Sequence, residues 1–172
     1  MPGRSNRPGK ARSGARARGR AVGRAKSVGK GAIAIAWGEF NEDITGQMRD
    51  RAAQAIRDAG YEPAPIVGVS GTYDLPFAID RALARREVVA AVAIGCIITG
   101  ETKHDELIAH AAAKSLLDIS LARGKPVGLG VTGPGQTRAQ AEARLDRAEA
   151  AVEAVLKLLG DGPAAQGPSR RH

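Results

Sequence analysis

Two kinds of segment alternate along most of the chain. Short apolar or β-rich segments predict strands at 32–37, 65–69, 88–98 and 126–131, and the continuous run 88–98 is typical of a strand that is buried on both faces. Stretches with apolar residues three or four positions apart predict helices, at about 41–58, 76–85, 105–122 and 137–159. Asn41 is a suitable N-cap for the first helix. The buried stripe of the third helix is predicted to contain Leu107, Ala111, Ser115 and Ile119.

The fourfold order of strand followed by helix predicts how these elements are arranged. Parallel strands need right-handed crossovers, which place helices on both faces of the sheet. We therefore expect an α/β protein, a flavodoxin-like three-layer α/β/α sandwich with a four-stranded parallel sheet. Ligands bind such sheets beyond the carboxyl ends of the strands. The loops that follow the strands are therefore the places to search, at 38–41, 70–74, 99–104 and 132–136.

The loop after the third strand carries the most informative motif, Gly100-Glu101-Thr102-Lys103-His104-Asp105. Thr102 and Asp105 have capping-box spacing, and the unpaired N–H groups of a helix start bind small anions such as phosphate. Gly100 lets an anion approach the backbone closely. His104 would then lie beside a bound phosphate ester, with a side chain suited to proton transfer near neutral pH. An ordinary exposed His at a helix start would show the same spacing.

Other loops carry side chains suited to a ligand. Phe40 has a ring that can stack on a heterocycle, with a core position as the alternative. Thr72, Tyr73 and Asp74 offer hydroxyls and a carboxylate for a polyhydroxy chain, as ordinary polar turns also do. Arg144, about two turns into the last helix, can bind a phosphate or simply face solvent. None of these signals is specific alone.

Charge is distributed unevenly along the chain. The 172 residues carry a formal net charge of +8, yet residues 1–30 hold ten Lys or Arg and no acid. Residues 31–159 hold 14 basic and 17 acidic residues, a net charge of −3. The segment 1–30 is predicted to be a disordered basic tail, with an organellar transit peptide as the alternative. Residues 160–172 are predicted to be a flexible C-terminal tail, which leaves 31–159 as the folded domain.

The composition also excludes several classes of protein. Cys96 is the only cysteine, so an intramolecular disulfide cannot form and a reducing, cytoplasmic setting is expected. The apolar runs are shorter than the roughly 18 residues that a membrane span needs. The three His lie in no metal-binding motif, so no metal site is expected.

Five motifs follow one another at the loops of the predicted sheet: EFNEDIT from Glu39, SGTYDLP from Ser70, IGCIITGETKH from Ile94, KP from Lys125 and GPGQTR from Gly133. Together they resemble the 6,7-dimethyl-8-ribityllumazine synthase family, in particular its archaeal-type branch. The resemblance covers about residues 31–159 and leaves both tails unexplained. It implies a transferase of riboflavin biosynthesis that condenses 5-amino-6-(D-ribitylamino)uracil with 3,4-dihydroxy-2-butanone 4-phosphate, without metal or organic cofactor.

The resemblance also implies a role for each loop, with His104 as the proton-transfer residue. Contacts to the pyrimidine ring and its ribityl chain are expected from Phe40, Asn41, Gly71, Thr72, Tyr73, Asp74, Ile97, Ile98 and Leu129. Contacts to phosphate are expected from Gly100, Glu101, Thr102 and, from an adjoining subunit, Arg144. The family forms homopentamers with active sites at subunit interfaces, and some members assemble twelve pentamers into an icosahedral shell. The sequence does not choose between pentamer and shell.

The motifs depart from the family pattern at several substrate-contact positions. Thr99 stands where many relatives have Arg, Asp105 where bacterial forms have Phe, and Leu129 where they have an aromatic residue. A basic position in the last helix of bacterial forms corresponds to either Arg147 or Glu149 here. Two other functions stay open: the archaeal-type riboflavin synthase, which dismutates two lumazine molecules, and a non-catalytic shell-forming protein whose basic tail binds polyanions weakly.

Overall fold

A computed structural model describes residues 30–100 and 103–161, so most of both predicted tails lies outside the described residues. Strands and helices alternate through this range. Their bounds are β1 Ala32–Gly38, α1 Glu42–Asp58, β2 Glu62–Val69, α2 Leu75–Leu83, β3 Val88–Cys96, α3 His104–Arg123, β4 Val127–Thr132, α4 Arg138–Glu142 and α5 Arg147–Leu159. A single 3-10 turn, Thr72–Asp74, precedes α2. None of the described helices is long and apolar enough to cross a membrane.

The four strands form one parallel sheet in the order β2-β1-β3-β4. Side chains of β1 alternate between two cores: Ile33 and Ile35 pack on the side of α1 and α5, whereas Ala32 and Ala34 pack on the side of α2 and α3. Central strands β1 and β3 are almost completely buried, as their continuous apolar runs predict. The flavodoxin-like three-layer α/β fold expected from the sequence is confirmed.

The last helix was predicted as one element over 137–159, and this is wrong. Residues 143–146 form a turn between α4 and α5. The backbone tightens there, because Arg144 N donates to Ala141 O at 3.0 Å and Arg147 N donates to Arg144 O at 3.1 Å. No Gly or Pro lies at 143–146, so the local sequence gives no signal of the break. Arg144 lies in this turn, and its side chain contacts Gln136, as described below.

The predicted stripe of the third helix is correct at Ile119, which packs against the core, and wrong at Leu107. Ala112 and Leu116 are the buried residues of α3, whereas Leu107 is 65% exposed. Apolar residues surround nearly the whole circumference of this helix, so their spacing does not select one face. Leu117 and Leu121 consequently remain exposed on the outer side.

The two ends of the described chain meet at the amino ends of the strands. Lys30 Nζ lies 3.4 Å from a carboxylate oxygen of Asp161 and 5.4 Å from the ring centroid of Tyr61. The Tyr61 hydroxyl donates a hydrogen bond to the same carboxylate. Burial, together with this neighbouring carboxylate, raises the pKa of Tyr61 to about 12. Both termini of the domain therefore lie on the side opposite to the loops that follow the strands.

Candidate active site

A cavity of about 500 Å³ lies beyond the carboxyl ends of β1 and β3. This volume is in the range of small-molecule binding sites. Its lining contains most of the predicted site residues, namely Phe40, Gly71, Thr72, Tyr73, Asp74, Ile97, Ile98, Gly100 and His104. The fold thus brings the loops that follow β1, β2 and β3 together around one cavity.

Two exposed aromatic rings contribute to this cavity. Phe40 is 74% exposed and Tyr73 is 66% exposed, which removes the core alternative for Phe40. The backbone N–H of Phe40 donates to Ser70 O at 3.2 Å, so the loops after β1 and β2 are held side by side. Aromatic side chains that are left in water beside an apolar cavity suit a planar ligand.

The turn at 71–74 depends on close backbone approach. The Asp74 carboxylate accepts from Gly71 N at 3.2 Å, and Asp74 N donates to Gly71 O at 3.1 Å. Thr72 is buried against Gly95 of β3, where an added Cβ would lie 2.7 Å from Thr72 Oγ1. An added Cβ at Gly38 would lie 3.3 Å from Thr72 N. Glycine at these strand ends therefore makes room for the turn that lines the cavity.

Asn41 supports the cavity from behind rather than lining it. It occupies the predicted N-cap position of α1 in the left-handed conformation, with φ 62°, but its side chain makes no capping bond. The Nδ2 group donates instead to Cys96 O at 3.3 Å, which joins the loop after β1 to the end of β3. Burial raises the pKa of the Cys96 thiol, so this cysteine stays protonated beside the cavity.

Helix α3 points its N-terminus at the cavity. His104 is its first residue, and it lies exposed in the cavity lining. The N-cap is Lys103, without a side-chain cap, so the predicted start of the helix in a Thr102–Asp105 capping box is wrong. Asp105 accepts instead from Gly135 N at 3.5 Å. Glu101 and Thr102 lie outside the described residues.

Two predicted residues lie elsewhere. Leu129, on β4, is 52% exposed and lines a separate cavity of about 150 Å³. Arg144 lines neither cavity, and its Nη1 lies 3.3 Å from Gln136 Oε1. The described lining of the 500 Å³ cavity holds the carboxylates of Asp74 and Asp105 but no Lys or Arg. Within the described residues of one chain, the cavity thus lacks a permanent cation.

Four lining residues were missed by the sequence reasoning, namely Ser70, Cys96, Asp105 and Ile108. Ile108 lies four residues after His104, so helical spacing would have found it. Cys96 is the last residue of β3 and could have been inferred from its position. Ser70 and Asp105 adjoin predicted residues, but a polar residue in a loop gives no signal of the direction in which it points.

The chain resembles one family of known proteins over most of its length. The family model for 6,7-dimethyl-8-ribityllumazine synthase matches residues 30–160. A protein of that name from Archaeoglobus fulgidus is 44% identical over 130 residues, which are 76% of this chain and 91% of the relative. Another from Staphylothermus marinus is 48% identical over 128 residues, 74% of this chain and 85% of the relative. The chain therefore belongs to the 6,7-dimethyl-8-ribityllumazine synthase family.

Proposed function

We propose that the 500 Å³ cavity condenses 5-amino-6-(D-ribitylamino)uracil with 3,4-dihydroxy-2-butanone 4-phosphate to 6,7-dimethyl-8-ribityllumazine, in the riboflavin pathway. The observation that carries the proposal is one cavity that joins an exposed aromatic ring, Phe40, to a helix N-terminus that begins with His104. A planar base and a phosphate ester are the two groups that such a cavity suits. The reaction needs neither metal nor organic cofactor.

The aromatic end of the cavity binds the pyrimidine in this proposal. Phe40 stacks on the ring, and Ile97 and Ile98 cover its apolar side. The hydroxyls of the ribityl chain bind the polar turn that includes Thr72 and Asp74. Because the Gly71–Asp74 hydrogen bonds already fix this turn, little conformational entropy is lost when the substrate binds.

The other end of the cavity binds the phosphate. The first-turn N–H groups of α3 and its dipole favour an anion, and Gly100 leaves open space for a close approach, since an added Cβ there would meet no atom within 4 Å. Glu101 and Thr102 contribute to the same loop in this proposal. His104 then lies between the phosphate and the bound ring, where it transfers protons.

The chemistry follows from this placement. The 5-amino group attacks the ketone carbon, and loss of water gives an imine. Loss of the C3 proton together with the phosphate then gives an enol, which tautomerises to a ketone with a terminal methyl group. The ribityl-bearing nitrogen attacks this ketone carbon, and loss of a second water completes the second ring. These steps move protons to or from nitrogen, oxygen and carbon, which a His side chain can assist. The cavity contributes chiefly by holding both reactants in attack geometry.

A second copy of the chain completes the site in this proposal. A phosphate dianion needs more positive charge than the described lining of one chain supplies, and Arg144 lies outside its own cavity. Exposed leucines on α3 and β4 favour packing against another copy, namely Leu107, Leu117, Leu121 and Leu129. We propose a homopentamer, with Arg144 and Leu129 reaching the neighbour's cavity. Light scattering would distinguish a pentamer from an icosahedral shell of twelve pentamers.

The function is tested by giving the purified chain two different substrate sets. The uracil and the butanone phosphate together should yield the fluorescent lumazine and inorganic phosphate. Lumazine alone should yield nothing. Riboflavin formed from lumazine alone would instead assign the chain to the riboflavin synthase reaction. The proposal places the enzyme in the cytoplasm, where a lone cysteine remains reduced.

Replacing Gly95 by alanine should damage the pyrimidine end of the cavity. The new Cβ would meet Thr72 Oγ1 at 2.7 Å, so the turn at 71–74 must shift. We expect the free energy of unfolding to fall by about 1–3 kcal/mol and KM for the uracil substrate to rise about tenfold. Steady-state kinetics and thermal unfolding measure both effects.

Gly128→Ala is the matched control, because its Cβ would meet Ala151 O at 2.5 Å within the core. It should lower stability with little change in either KM. An unchanged KM for the uracil in Gly95→Ala would show that the turn at 71–74 does not contribute to binding of this substrate.

A second candidate activity is weak polyanion binding by the basic segment 1–30, which was predicted from its ten cations and absence of acids. The segment has no aromatic residue to stack on bases, so contacts to phosphates without sequence preference are expected. Its last residue, Lys30, is tied to Tyr61 and Asp161 at the end of the domain opposite to the cavity. Binding at this end should leave catalysis unaffected.

Fluorescence anisotropy with a labelled oligonucleotide tests this activity. We expect the affinity to fall about 10³-fold between 50 and 200 mM salt, since about seven phosphate contacts would release counterions. A chain lacking residues 1–28 should lose the binding and keep full enzyme activity. Equal nucleic-acid binding by the shortened chain would refute the assignment.

A further inference from the structure

Gln136 is a long polar side chain that is almost completely buried, with 1% of its surface exposed. It lies between β4 and α4, next to the N-cap Thr137. Its Nε2 donates to Thr132 Oγ1 at 2.9 Å and to Ile97 O at 3.1 Å. Its Oε1 accepts from Arg144 Nη1 at 3.3 Å. A buried amide with partners for both donors and for its oxygen is held in one orientation.

The opposite orientation of this amide is disfavoured. It would place Oε1 against the carbonyl oxygen of Ile97 and an N–H donor against the guanidinium of Arg144. Both contacts would be repulsive. The hydrogen bonds to Ile97 and Thr132 therefore orient the amide of Gln136 so that its oxygen faces Arg144.

Gln136 connects the cavity of its own chain with the Arg144 that is proposed to bind phosphate. Ile97 and the following loop line the cavity, and Thr99 N donates to the backbone oxygen of Gln136 at 2.9 Å. Arg144 is the cation proposed to reach the next subunit. A guanidinium has five N–H groups, and the contact with Gln136 uses one of them. Arg144 follows the end of α4 and is exposed, so its other N–H groups are accessible to a ligand.

We propose that Gln136 is a positioning residue for phosphate binding, which holds the guanidinium of Arg144 in the orientation that the phosphate of the neighbouring cavity requires. This inference rests on the proposed function. The buried acceptor restricts a flexible side chain before substrate arrives, and such preorganisation strengthens binding by reducing the entropy that is lost. The effect falls on the affinity for the phosphate substrate and not on proton transfer at His104.

Two variants of the full-length chain separate this role from core packing. Gln136→Met keeps the size of the side chain but removes the acceptor for Arg144, so KM for the butanone phosphate should rise about tenfold, with kcat and KM for the uracil changed less than about threefold. Gln136→Glu keeps an acceptor for Arg144 but places a carboxylate against Ile97 O. It should be the less stable protein and yet have a KM for the phosphate substrate near that of wild type.

A double variant tests whether Gln136 acts through Arg144. When Gln136→Met is combined with Arg144→Ala, KM for the butanone phosphate should rise no further than in Arg144→Ala alone, because the side chain that Gln136 positions is then absent. Gly128→Ala, which crowds Ala151 O in the core and removes no partner of Gln136, should lower stability and leave both KM values near wild type. Inhibition by inorganic phosphate should weaken in Gln136→Met in parallel with the KM.

Several results would overturn the positioning role. The first is a wild-type KM for the butanone phosphate in Gln136→Met, and the second is a KM that changes in step with thermal stability across the three single variants. The third is a double variant in which the effects of Gln136→Met and Arg144→Ala on this KM add. The fourth is failure of both Gln136 variants to fold. Wild-type enzyme is assayed beside them. If wild type forms no lumazine, the proposed function fails, whereas an active wild type with an unaffected Gln136→Met removes only the role of Gln136.

Discussion

His104→Ala should lower kcat about 100-fold while leaving measurable activity. The loss is at the lower end of the range for general acid–base catalysis, because the cavity still holds both reactants close together. His104 is the first residue of α3 and lines the cavity, so its removal takes away the proton-transfer group without disturbing the core. KM for both substrates should change less than about threefold. Steady-state rates of lumazine formation measure the effect.

His110→Ala is the matched control, since this exposed His lies on the same helix and does not line the 500 Å³ cavity. It should keep the wild-type rate. His104→Asn should lose as much as His104→Ala, because an amide forms hydrogen bonds but does not exchange protons near neutral pH. Unchanged turnover in His104→Ala would remove the catalytic assignment.

Arg144→Ala should raise KM for the butanone phosphate about 10- to 100-fold. Hydrogen bonds to a charged group contribute about 1.5–3 kcal/mol, and the described lining of the cavity offers no other permanent cation. KM for the uracil should stay within about threefold of wild type, since the aromatic end of the cavity is unchanged. Initial rates with one substrate varied at a time give the two constants.

Arg144→Lys should recover part of the loss, because a single ammonium lacks the forked geometry of guanidinium. Lys157→Ala removes an exposed charge from the last turn of α5 and should leave both constants unchanged. Equal rises in the two KM values of Arg144→Ala would point to a disturbed assembly instead of a lost phosphate contact.

The sequence predicted the fold where pattern and burial agree. The fully apolar runs of β1 and β3 identified the two central strands, and the order of elements identified the parallel sheet. It did not predict the turn at 143–146, because no Gly or Pro marks it and the packing of Leu145 against the core is visible only in the folded chain. It did not predict the buried side of α3, because apolar residues surround that helix.

The candidate site was predicted where a loop follows a strand. Topology alone brings Phe40, Tyr73 and His104 to the same edge of the sheet. Gln136 was missed, because a Gln beside three loop residues gives no sign that it will be buried. Its role depends on distances to Ile97 and Arg144 that only the folded chain defines.

The central claim is that the lumazine-forming cavity is completed by Arg144 of a neighbouring chain. Its most direct test is to co-express His104→Ala and Arg144→Ala chains at equal levels and to assay the mixed assemblies. Each variant alone should be nearly inactive at low phosphate substrate. Random mixing should restore about a quarter of wild-type activity, because about one interface in four pairs an intact His104 with an intact Arg144. Mixed assemblies no more active than either variant alone would contradict a shared site.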